Sequence, residues 1–140
     1  MTESVDEPGL FHEGIRLFNE QDWFEAHEVW EDIWREASGD RKRFYQGLIQ
    51  CAVTIEHVRR GNPRGVLSVW TTAQTKFTGL PSPYMGIAVD RLLADVKALI
   101  DPVLTLPESS FDPALPRGQD LPVNWTLAPR ITLADDPFRQ

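Results

Sequence analysis

The chain has one cysteine, Cys51, in 140 residues. That excludes an intrachain disulfide and a cluster of thiolate ligands, and its place in an apolar run predicts a small buried side chain. No apolar run approaches the ~18 residues a membrane-spanning helix needs, and the acidic start lacks the features of a signal peptide. These absences predict a cytoplasmic protein without a membrane partner, and they discount Asn124-Trp125-Thr126 as a glycosylation site. Positive charge is scarce as well. Lys and Arg number 14 against 21 Asp and Glu, for a net charge of −7. Such a balance favours solubility and argues against nucleic acid as a partner. Arg41-Lys42-Arg43 and Arg59-Arg60 read as solvated helix surface. Repeats and low-complexity tracts are missing too, and the length suits one domain with a real core.

Apolar spacing predicts an all-α fold, an irregular bundle of about five helices over residues 1–101. Residues 1–8 read as frayed. A first short helix follows from Gly9 to about Glu20, carrying Phe11, Ile15 and Phe18 inward, with His12 beside them in a structural role. The second starts at Asp22, which forms a capping box with Glu25, and runs to Glu36. The third, from about Arg41 to Arg60, is apolar around more than half its circumference and is therefore the central one. Gly61-Asn62-Pro63 stops it and starts a fourth, to about Phe77. Ser82 and Pro83 open a fifth, which Asp101-Pro102 ends near Ile100. From Pro102 onward seven of 39 residues are proline. There Leu121, Val123, Trp125 and Leu127 alternate, predicting an extended strap over residues 102–140 with one face packed on the helices.

The second helix carries the anomaly. On a wheel of about 100° per residue, with His27 at zero, Trp23, Trp30 and Trp34 fall within roughly 60° of it. Glu25, Glu28, Asp32 and Glu36 take the opposite side, whereas Glu31 shares the aromatic side one turn from His27. Neutral imidazole and ionised carboxylate are both metal donors, and at this spacing they can converge on one divalent ion. A firm site wants a third ligand. The central helix offers Gln46, Gln50, Glu56 and His57, of which Glu56 and His57 are the stronger donors, while Trp30 and Trp34 would exclude water. The same pair also suits metal-free acid–base chemistry. The other class of reading is a non-enzymatic binding or interaction module, with His27 and Glu31 as a buried strut between helices. His27-Glu28-x-x-Glu31 echoes the zinc-peptidase pattern, but the second histidine is missing and Glu28 faces the solvated side.

Phe18-Asn19, Phe24-Glu-Ala-His-Glu-Val-Trp-Glu-Asp-Ile-Trp34, Gln46-Gly-Leu-Ile-Gln50, Gly61-Asn62-Pro63 and Leu80-Pro-Ser-Pro-Tyr-Met-Gly86 together resemble the bacterial and archaeal family called domain of unknown function 309. The resemblance covers about residues 10–100. It implies a small all-helical domain without an established activity, whose signature His-x-x-x-Glu-x-x-Trp falls on His27, Glu31 and Trp34 and is suggested to bind metal. Related members often carry histidine where this chain has Glu56, followed here by His57, so the third ligand departs from the pattern. The expectation is a divalent-metal site on His27 and Glu31, as in a metal-dependent hydrolase, with its small-molecule or protein partner and its oligomeric state open.

Overall fold

The computed structural model describes residues 5–139. Five α-helices follow in order: α1 (Glu7–Asn19), α2 (Trp23–Glu36), α3 (Gly39–Arg59), α4 (Pro63–Lys76) and α5 (Val89–Leu104). Two 3-10 turns, Glu108–Phe111 and Trp125–Leu127, punctuate the tail. The fold is all-α. The predicted fraying falls partly on residues 1–4, which lie outside the described ones, while Glu7 and Pro8 already belong to α1. Asp6 caps that helix by accepting from the Gly9 amide at 3.0 Å.

Helix α3 is central because no side of it is polar enough to face water along its length. Phe44, Tyr45, Leu48, Cys51, Ala52 and Ile55 are fully buried and point in several directions, so α2 packs on one flank and α4 on another. Helix α1 packs on α2, and α5 closes over α3 and α4. Burial pushes the Cys51 thiol up to about 12, so it is an inert core side chain.

Three local expectations are corrected. Asp22 occupies the N-cap of α2, but its side chain makes no capping bond. Helix α5 begins at Val89, six residues after Pro83, and continues through Pro102 to Leu104. In between, Met85 and Gly86 adopt left-handed backbone, φ 48° and 79°, and Tyr84 pairs with Ile87 in an isolated bridge. That tight turn cannot be helical. Its Gly86 carbonyl instead accepts from the Ala134 amide at 2.9 Å. Pro102 has no amide to donate to the Ala98 carbonyl, yet the helix continues past it, and the Thr105 amide closes it on the Asp101 carbonyl at 3.0 Å. Finally, the alternation from Leu121 to Leu127 forms no strand. Trp125–Leu127 coils into a 3-10 turn capped by Asn124, and Trp125 and Leu127 are exposed.

The tail touches the helices at defined points. Asn19 accepts from the Ile131 amide (2.7 Å) and donates to its carbonyl (2.9 Å), a two-bond pairing that mimics a strand contact with a side chain. Ile131 is buried there. Phe138 sets its edge against Phe11, with centroids 5.4 Å apart, and His12 Nε2 lies 3.3 Å from Asp136. At Gly61 (φ 66°) the tail backbone passes so close that a β-carbon would overlap Gln119. Only glycine satisfies both conditions.

Candidate metal site and its surroundings

Helix α2 holds His27 by a bond within its own turn: Nδ1 faces the Phe24 carbonyl. A carbonyl only accepts, so Nδ1 carries the hydrogen, and the free lone pair of a neutral ring sits on Nε2. Nε2 in turn lies 3.6 Å from Glu31 Oε1. Glu31 Oε2 receives Arg35 Nη2 at 3.4 Å. The imidazole is mostly buried and the carboxylate about one-third open, with side-chain exposures of 17% and 37%. The Phe24 ring stands edge-on to the imidazole at 4.9 Å. The pair therefore sits at the border between core and solvent.

Two contacts fix what runs opposite. Lys42 lies over the Trp34 ring at 4.5 Å, and the Arg60 guanidinium lies over the Phe24 ring at 5.1 Å. Helices α2 and α3 are thus antiparallel, and the stretch from Glu31 to His27 runs opposite the middle of α3 between those brackets. Helical spacing puts Gln46 about 40° and Gln50 about 80° around α3 from the line through Lys42 and Arg60. Both glutamines are half-buried, and Gln50 Oε1 is a buried acceptor without a donor.

The stronger predicted donors are engaged elsewhere. Glu56, 7% exposed, accepts from Arg59 Nη2 and, at 2.7 Å, from Arg60 Nε. This pairing was legible in the sequence, since Arg59 and Arg60 stand at i+3 and i+4. His57 turns toward α4. Its Nδ1 accepts from Asn62 Nδ2 at 3.1 Å, and Asn62 Oδ1 accepts from the Gly65 amide at 3.2 Å, capping that helix. Gly65 is in contact: a β-carbon there would come within 3.0 Å of the His57 ring. Among the described residues no three His, Cys, Asp or Glu side chains group so as to hold a metal ion. Trp30 is fully buried against α1, its Nε1 directed at the Phe11 carbonyl at 3.4 Å. Trp34 is half-buried, with its indole nitrogen unpartnered. The basic spots are likewise occupied: Arg41 pairs with Glu7 at 3.2 Å, and Arg43 with Asp40 at 3.2 Å.

The His57 relay carries a pH dependence. Desolvation, and then the charges of Arg60 and Arg117, hold its pKa below the ordinary histidine value, against a smaller opposing pull from Glu56. Protonation would also place a hydrogen on Nδ1, facing the Asn62 amide hydrogens. The unfolded chain therefore binds this proton more readily than the folded one. The contribution of His57 is intact above about pH 6.5 and is lost as pH falls from there through the depressed folded value. Urea midpoints at pH 7.5 and 5.0 should fall further for the wild type than for His57→Gln. Equal falls would remove His57 from the account.

Residues 11–69 match the family model described as domain of unknown function (DUF309). An uncharacterized protein of Aquifex aeolicus (strain VF5) is 28% identical over 110 residues, covering 78% of this chain and 32% of that protein. The uncharacterized protein YpuF of Bacillus subtilis (strain 168) is 46% identical over 46 residues, covering 32% of this chain and 26% of the relative. The matched part is thus a third or less of either relative's length. Among the described residues no helix is long and apolar enough to cross a membrane. Through residues 11–69, from α1 into α4, the chain is thus similar to the DUF309 family.

Proposed function

We propose that this chain binds a divalent transition-metal ion through His27 Nε2 and Glu31 Oε1, with the Gln50 side-chain oxygen as a third donor, and that the site serves hydrolysis. The observation that carries this reading is the face-to-face approach of the two α2 donors. With Nδ1 held by Phe24, neutral His27 directs a lone pair at a carboxylate oxygen 3.6 Å away. Two acceptors so placed repel unless a proton or a cation lies between them. The separation exceeds the ~2.7–3.2 Å of an N–H···O bond, and suits two donors each about 2.1 Å from one ion. The backbone bond to the distal ring nitrogen is also the usual support of a ligating histidine. The undonated oxygen of Gln50, on α3, is the kind of atom a cation completes. When bound, such an ion lowers the pKa of a coordinated water and polarises a carbonyl or phosphoryl oxygen. Glu31, about one-third open, leaves room for both, while Phe24 and Trp34 restrict solvent around them.

Among the described residues, no hydrogen bond or ion pair ties His27 or Glu31 to a second helix, as a strut would require. Their polar partners, namely Phe24, each other and Arg35, all stand on α2. Metal analysis after equimolar supply of zinc, manganese, cobalt or nickel tests the proposal. The wild type should retain about one ion per chain and gain thermal stability with it. His27→Ala should lose the ion and the gain, with Glu31→Gln and Gln50→Ala weaker than wild type. No uptake by the wild type, or unchanged uptake by His27→Ala, overturns the metal site.

A further inference from the structure

A second site lies away from His27 and Glu31, where the tail crosses the α1–α2 turn and the end of α3. A cavity of about 330 Å3 there is lined by Gln21, Trp23, Val58, Arg59, Asp120, Leu121 and Trp125. Trp125 stacks on Trp23 with centroids 5.6 Å apart and planes 25° from parallel, and Val58 and Leu121 extend the apolar lining. Two opposite charges interrupt it. Arg59 is held in advance: its Nη1 donates to the Gln21 carbonyl at 3.1 Å, its Nη2 donates to Glu56, and its guanidinium lies 5.6 Å from the Trp23 ring centre. A guanidinium has five N–H donors, so others remain. Asp120 has no side-chain partner among the described residues. The Trp23 indole N–H, in a side chain 1% exposed, has no acceptor.

We infer that this cavity binds a small zwitterion with an apolar side chain, of the α-amino-acid class. The ammonium group pairs with Asp120. The carboxylate takes the remaining donors of Arg59, and the side chain packs on Trp125, Leu121 and Val58. A purely cationic ligand would place its charge beside Arg59, and an anion would lie against Asp120. A molecule carrying both charges meets each wall with its complement. The volume is near the lower end for small-molecule sites, which fits one amino acid better than a nucleotide. Because Arg59 is already anchored, little ordering is needed there on binding.

The test is a titration of the full chain with L-leucine, followed through the indole N–H signals of its five tryptophans. Isoamylamine and 4-methylvalerate serve as probes that keep one charge each. Leucine should shift the Trp23 and Trp125 signals saturably, identified by Trp23→Phe and Trp125→Phe. Each single-charge probe should bind at least about tenfold more weakly. Asp120→Asn, a change at an exposed position, should weaken leucine at least about tenfold with the urea midpoint unchanged. The inference is overturned by an absence of saturable shifts up to about 10 mM, by equal affinity for the amine or the acid alone, or by an Asp120→Asn variant that binds as the wild type does.

Discussion

Replacing Gly14 with alanine is expected to lower stability by about 2–3 kcal/mol, in the opposite sense to most such changes. In a solvent-facing helix, glycine to alanine gains roughly 1 kcal/mol from reduced backbone entropy in the unfolded chain. At Gly14 the gain is overtaken by contact. A β-carbon built there would lie within 3.0 Å of several atoms of the Trp30 indole. That ring is fully buried, directs its nitrogen at the Phe11 carbonyl and stands 6.0 Å from the Phe18 ring centre. It has no free direction in which to move, so α1 and α2 must separate. The thermal midpoint should fall by roughly 6–12 °C. In a double-mutant cycle, Trp30→Phe should recover part of the loss, since the five-membered part of the indole makes the overlap. An alanine variant as stable as the wild type would show that the helices do not approach this closely.

Glu56→Ala is expected to cost about 2 kcal/mol. The carboxylate is nearly buried and receives both Arg59 and Arg60. Those side chains lie over Trp23 and Phe24, so one acid on α3 orients two cations that clasp the first turn of α2. Each charge-assisted bond would be worth roughly 1.5–3 kcal/mol if fully buried. The guanidiniums are about half exposed and regain water when released, which reduces the total. Glu56→Gln keeps an acceptor and should lose about half as much, and the deficit of either variant should shrink in 1 M salt. A salt-independent loss equal in Ala and Gln would assign the effect to packing. The prediction also separates two roles for Glu56. A residue that clasps α2 through arginines changes stability without changing metal uptake, whereas a ligand changes both.

The parts of the molecule legible in advance are those set by neighbours in the chain. Asn62-Pro63 starts α4 because a capping amide and a ring with no N–H suit a helix's first turn, and the Asn62 bond to Gly65 is made. The proximity of Glu31 to His27 follows from four residues of helix. Pro83 offered the same kind of signal and failed, because the turn at Met85 and Gly86 is held by the tail's Ala134 amide from some fifty positions away. The alternation of Leu121 to Leu127 failed for a related reason: without a neighbouring strand to pair with, period-two spacing has nothing to bury it.

By itself, then, the sequence determined that five segments are helical, that α3 is the central one, and that an imidazole and a carboxylate share an edge of α2. All of these depend on periodicity and on contacts within one or two turns. The tertiary structure alone decided that Glu56 serves two arginines, that His57 turns to Asn62 and α4, and that Asp120 and Trp125 meet Arg59 and Trp23. Those pairings depend on the relative rotation of packed helices and on the path of the tail. A shift of one residue along a helix turns a side chain by about 100°, enough to send it to a different partner.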